Sequence, residues 1–128
     1  MSLIFGAVGG FAAGYLTRSA PAAQAREFYV FTSVLPFNDT IVGLPHDVFV
    51  PDRIVVNRGD TVTIRFYNTE DEPERHTFTM DAPYSLNVDL NWNENHTFPA
   101  FTAGTSGVFT YRCNFHLPSM IGEFVVIG

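Results

Sequence analysis

The residue that most restricts how this chain can fold is its single cysteine. Cys113 stands in the run Tyr111-Arg112-Cys113-Asn114-Phe115-His116-Leu117-Pro118-Ser119-Met120-Ile121-Gly122, so a thiol, an imidazole and a thioether fall within eight positions. These are three of the softer metal-binding groups a protein owns. One Cys and two His with a long, weak Met make the trigonal arrangement expected of a mononuclear electron-transfer copper centre. The run supplies only one of those two histidines. The fold must therefore bring a distant segment to the place where Cys113 lies, and with one cysteine no internal disulfide can help.

His76 is the best candidate for the second imidazole. It follows the turn-rich stretch Asn68-Thr69-Glu70-Asp71-Glu72-Pro73-Glu74-Arg75 and opens an alternating one, His76-Thr77-Phe78-Thr79-Met80, with Phe78 and Met80 on its own parity. A histidine on the inward parity at a strand start is suited to hold a metal at one end of a sandwich. His46 and His96 are rivals. His46, flanked by Pro45 and Asp47, reads as a loop residue two strands too early, and His96 is expected to face solvent from a polar strand.

Taken together, the upstream Asn68, Pro73 and His76 and the downstream Cys113, His116 and Met120 resemble the cupredoxins, the small blue copper proteins. The resemblance covers residues 28–128, and it implies a Greek-key β-sandwich with one copper ion cycling between Cu(I) and Cu(II). It also implies ligation by His76, Cys113 and His116, with Met120 axial. The gap of two residues between Cys113 and His116 is that of plastocyanins and amicyanins. The three residues between His116 and Met120 fall between the amicyanin gap and the plastocyanin gap, so Met120 is either an axial ligand or a core filler. From the family, the ring edge of His116 is expected at the surface inside an apolar collar of Leu117 and Pro118. Thr77 stands where many members carry Asn, and its backbone amide is expected to bond the Cys113 sulfur, with a looser link between the ligand loops.

Composition agrees with one compact unit. The chain has 128 residues, 46% of them apolar, and thirteen Phe in a sequence without a long helical repeat point to a sandwich packed with rings. All seven basic residues are Arg, against thirteen acidic ones, for a net charge of -6. Such a surface repels nucleic acid and anionic membrane and favours a basic redox partner. Glu70, Asp71, Glu72 and Glu74 read either as a solvated loop or as the docking patch for that partner.

Short extended segments separated by turn signals predict an all-β sandwich or barrel. The expected strands are 26–34, 46–56 with a break at Pro51, 61–67, 76–80, 91–98, 108–113 and 121–127. Residues 36–45 and 81–90 are expected to be loops, the second with a helical turn. Asn38-Asp39-Thr40 and Asn95-His96-Thr97 match the glycosylation acceptor pattern, a short motif that arises often by chance.

The N-terminal run 3–16 is apolar and uncharged, too short for a straight bilayer crossing. It reads as a signal-peptide core with Ala23-Gln24-Ala25 as the cleavage pattern, or as a retained membrane anchor whose Gly6, Gly10 and Gly14 line one helical face. Residues 1–25 are thus set apart from a copper-binding domain at 26–128, and either reading places that domain outside the cytoplasm, in the periplasm, the extracellular space or on the outer face of the cytoplasmic membrane.

Three functions compete. The first is a single-electron carrier. The second is a copper redox enzyme whose open coordination position meets a small molecule such as nitric oxide. The third is a copper-delivery domain. Zinc fits less well, because a structural zinc site wants four strong ligands and this set offers three and a thioether.

Overall fold

The computed structural model describes residues 22–128, and the readings made for residues 1–21, the apolar run 3–16 included, lie outside them. Among the described residues ten strands and one short helix follow in order: β1 (Ala25–Val34), α1 (Asp39–Val42), β2 (Asp47–Val50), β3 (Arg53–Asn57), β4 (Thr61–Tyr67), β5 (His76–Met80), β6 (Leu86–Leu90), β7 (Asn95–Thr97), β8 (Phe101–Thr102), β9 (Gly107–Arg112) and β10 (Ile121–Ile127). They form two five-stranded sheets. One has the order β2-β1-β4-β7 with β8 also on β4, and the other β3-β10-β9-β5-β6. β1 runs parallel to β4 and β3 parallel to β10, while the remaining pairs are antiparallel.

Alternation decides which side chains meet. In β4, Val62, Ile64 and Phe66 are buried while Thr61, Thr63 and Arg65 point away, the period-two pattern of a strand with one wet face. β10 answers from the other sheet with Phe124 and Val126. Between the sheets Phe78 forms the hub of a ring cluster, with Tyr111, Phe98 and Phe66 centroids 4.8, 5.5 and 5.6 Å from its own. Tilted and offset packing of this kind adds to the area the rings bury.

Four expectations need correction. Residues 81–90 are not all loop, for Leu86-Asn87-Val88-Asp89-Leu90 pairs with β5 along its whole length. Its alternation is only five residues long and follows Pro83 and a left-handed Ser85, which hid it. The stretch 91–98 is strand only at 95–97, because Asn91–Glu94 is a turn closed by Glu94 Oε1 on the Asn91 N–H and by a left-handed Asn93. The loop 36–45 contains α1, where Asn38 is the N-cap, accepting from the N–H groups of Thr40 and Ile41, and Gly43 closes the helix in the left-handed region. His96 is half-buried and packs its ring edgewise on Phe98 instead of facing solvent.

The break expected at Pro51 is sharper than a bulge. β2 ends at Val50 and joins the β1 sheet, whereas β3 starts at Arg53 and joins the β10 sheet. The chain changes layer there, and β2 carries Asp47 to the same pole as the start of β5. At the opposite pole Gln24 donates its N–H to Asp60, just before β1 begins.

Candidate metal centre

Two loops meet at one end of the sandwich. Cys113 follows the last residue of β9, and His76 is the first residue of β5, which pairs with β9 through Thr79 and Arg112. The pairing of two neighbouring strands is therefore what converts 37 residues of sequence separation into contact. His76 Nδ1 lies 3.7 Å from Cys113 Sγ, and His116 Nδ1 lies 3.4 Å from the same sulfur. The two imidazole centroids are 4.7 Å apart. One ligand atom from each of the three residues falls within 4.8 Å of the others, and Cys113 and His76 are fully buried.

The loop after Cys113 is held by its own backbone. His116 N–H donates to Cys113 O, Met120 N–H donates to His116 O at 3.0 Å, and Cys113 N–H donates to Met120 O at 3.0 Å. Three residues between His116 and Met120 fit this closed loop without strain on its hydrogen bonds. Met120 itself has no exposed surface. Its backbone is tied to both Cys113 and His116, so the ligand loop closes on Met120.

Thr77 does what was expected of it and more. Its backbone N–H donates to Cys113 Sγ at 3.4 Å. Its hydroxyl accepts from the N–H of Asn114 at 2.9 Å, so the expected loosening of the link between the ligand loops does not occur. Asn114 also donates through its side chain to Thr79 Oγ1, and Thr79 donates to Asn87 Oδ1 at 2.7 Å. A chain of short polar side chains replaces the single Asn.

The outer nitrogens of both rings meet carboxylates. His76 Nε2 is 3.2 Å from Glu70 Oε1, and His116 Nε2 is 3.2 Å from both Asp47 Oδ2 and Glu74 Oε1. Asn68, buried, positions the acidic loop by accepting from the Glu70 N–H and donating to Glu74 O. Carboxylates at Nε2 favour a proton on that nitrogen, so Nδ1, turned to the sulfur, is the nitrogen each ring gives up to a metal once the proton it shares with Cys113 is released. Glu70 and Glu74 therefore face the histidines, while Asp71 and Glu72 stay in solvent. Asp47 had no place in the sequence reading. The signal was its parity, since Asp47 and Phe49 are the two inward positions of β2.

Electrostatics prepare the sulfur. Burial by itself would raise the Cys113 thiol, but the bonds from His116, His76 and the Thr77 and Phe115 amides override it and bring it down to about 6. His116 is raised by its bond to Cys113, against burial, with Asp47 and Glu74 adding to the effect. His76 is opposed by burial, yet its bonds to Cys113 and Glu70 hold it above the usual imidazole value. A thiolate available near neutral pH is the form that binds metal. The surface near His116 is apolar, with Phe115 and Leu117 about half exposed at 49% and 46%. Only 16% of the His116 side chain is exposed, less open than expected, because Asp47 and Glu74 cover its outer nitrogen.

No family model matches the chain, and the search of curated proteins finds no match. Solved structures do match. Auracyanin A, a blue copper protein from Chloroflexus aurantiacus, superposes with a TM-score of 0.55 at 21% identity, covering 80% of this chain and 98% of that one. Auracyanin B matches with a TM-score of 0.58 at 17% identity over 87% of this chain and 94% of that one. A copper nitrite reductase from Nitrosomonas europaea reaches 0.62 at 19% identity over 80% of this chain, which spans 41% of the reductase. The chain thus has the cupredoxin fold, a β-sandwich of the kind that the auracyanins share.

Proposed function

We propose that this protein is a single-electron carrier that holds one copper ion through His76, Cys113 and His116, with Met120 as the weak axial ligand. The observation that carries the reading is the convergence of one buried thiol and two Nδ1 atoms, at 3.4 and 3.7 Å from the sulfur, at one pole of a cupredoxin-like sandwich. The donor set fits copper: thiolate and thioether suit Cu(I), and imidazole suits both oxidation states.

Copper, when bound, supplies a one-electron couple. The chain supplies the rest. Its buried Cys113, His76 and Met120 exclude water from the ligands, and the Thr77, Asn114 and Met120 bonds hold the two loops in a single arrangement. Glu70, Asp47 and Glu74 keep the Nε2 protons in place and the rings aimed. A site pre-arranged in this way needs little rearrangement when the charge of the ion changes. The backbone bonds of Met120 to Cys113 and His116 support it as the axial group, and with it the carrier over an open enzymatic site.

The net charge of -6 and the exposed Asp71 and Glu72 support a basic redox partner, approaching the Phe115 and Leu117 surface beside His116. Its place of action is outside the cytoplasm, a reading supported by the apolar, uncharged run 3–16.

A metal analysis combined with a visible spectrum tests the proposal. One copper per chain and an intense visible band that azide and nitric oxide leave unchanged support the carrier. A red or purple protein whose spectrum shifts with those ligands would instead indicate an enzyme with an open position. Ready loss of copper to chelators with slow electron exchange would indicate a delivery domain.

A further inference from the structure

Behind the two histidines lies a second cluster that the copper reading does not use up. Ligand atoms of Asp47, Glu70, Glu74 and His76 lie within 4.8 Å of one another. Asp47 is 3% exposed, and its Oδ1 has no hydrogen-bond partner; Glu70 Oε2 is likewise buried and unpartnered. The same two carboxylates spend their other oxygens on the histidines, Asp47 Oδ2 on His116 and Glu70 Oε1 on His76. Each thus has one oxygen turned to an imidazole and one turned to nothing.

Such an arrangement is costly in isolation. Carboxylate oxygens buried without a donor lose their hydration with no return, and three like charges this close repel one another. Among the described residues no arginine is paired with them, for the ion pairs of Arg26, Arg53, Arg65, Arg75 and Arg112 go to Asp60, Glu123, Glu27, Asp89 and Asp81. With Nδ1 of each ring given to copper, the rings are neutral ligands and offer the carboxylates an N–H but not a full positive charge. A cation seated against the unpartnered oxygens supplies what is missing.

We infer that Asp47, Glu70 and Glu74 form a second metal site, for a hard divalent cation of the calcium or manganese class, behind the copper ligands. The class follows from the donors, since carboxylate oxygens completed by water suit calcium, manganese and magnesium, and the nitrogens present point their protons, not their lone pairs, at the carboxylates. Glu74, with its side chain 40% exposed, is the member through which the cation and its waters enter. Its position behind both imidazoles makes the bound cation a neighbour of the copper couple. The inference rests on the proposed copper reading for the direction of the Nε2 protons.

The test is a titration of the copper-loaded full-length chain with Mn2+, followed by the electron paramagnetic resonance signal of free Mn2+. One saturable Mn2+ per chain, displaced by Ca2+ and weakened about tenfold or more in Asp47→Asn or Glu70→Gln, is the expected result. Glu74→Gln, at a half-exposed position, guards against a variant that fails to fold, and circular dichroism checks each. A titration that shows no saturable Mn2+, on a sample whose visible band is intact, overturns the second site. A sample that forms no visible band with Cu(II) fails the copper reading instead, and its Mn2+ titration still decides the carboxylate cluster.

Discussion

The backbone N–H of Thr77 donates to Cys113 Sγ at 3.4 Å, the residue after one ligand candidate bonding the sulfur of another. The contact follows from strand order, since β5 and β9 are neighbours, and Thr77 near the start of β5 and Cys113 just past the end of β9 lie at the same pole. A hydrogen bond to a thiolate withdraws charge from the sulfur, so it both fixes the position of Cys113 and tunes what the sulfur gives to a metal.

The first prediction concerns that sulfur. Cys113→Ser removes the only thiolate and with it the ligand-to-metal charge transfer that gives such centres their colour. The variant, loaded with Cu(II), is expected to lack the intense visible band. A coloured Cys113→Ser protein would refute the assignment.

Met120 is tested through potential, not colour. Met120→Leu keeps a buried apolar side chain of similar volume, so the fold is expected to persist. The visible band is expected to remain while the reduction potential changes, where a tenfold change in the preference for one oxidation state over the other is ~59 mV. An unchanged potential by voltammetry would place Met120 outside the coordination sphere.

Much of this was legible in advance, and the reason is periodicity. β4 and β5 have the bounds that alternation predicts, β10 those of the closing apolar run, and the convergence of His76, Cys113 and His116 follows from their places at strand ends. What escaped notice lacked a local signal. β6 is five residues long behind a left-handed Ser85, and Glu70 and Glu74 sit in an acidic run that reads as solvated until Asn68 is seen to fold it inward. The inward parity of Asp47 is local, but its meeting with His116 is not, for it depends on β2 pairing with β1, Asp47 opposite Val34, at the pole where the ligand loop lies.

Gly122 shows how closely the site is backed by core. A Cβ placed there would meet the Tyr111 ring, lying 2.7 Å from its hydroxyl oxygen. Tyr111 cannot retreat, being fully buried, stacked on Phe78 and bonded to Pro51 O at 2.8 Å. Gly122→Ala is therefore expected to destabilise the protein by ~1–3 kcal/mol, the usual cost of overpacking. Denaturant unfolding measures it, and a variant as stable as the parent would show that Tyr111 has room to move.

Asp60 holds the opposite pole and gives the fold a dependence on acid. Fully buried, it accepts from the N–H groups of Gln24 and Asn57 at 2.9 Å each and pairs with Arg26, while its own carbonyl accepts from Ala103. The bond from Gln24, then that from Asn57, with Arg26 adding, hold its carboxyl below the ordinary 3.8, against burial. Because the folded value is the lower one, the stabilisation is fully present above 3.8 and is lost as pH falls through the folded value. Asp60→Asn keeps the shape but removes the charge and one acceptor, so it is expected to melt at a lower temperature near neutral pH. It should also lose less on acidification, because the term that acid removes is already gone. Thermal melts of parent and variant at pH 7 and near pH 3 read both effects, and an equal loss in the two proteins would show that other carboxylates carry the acid response.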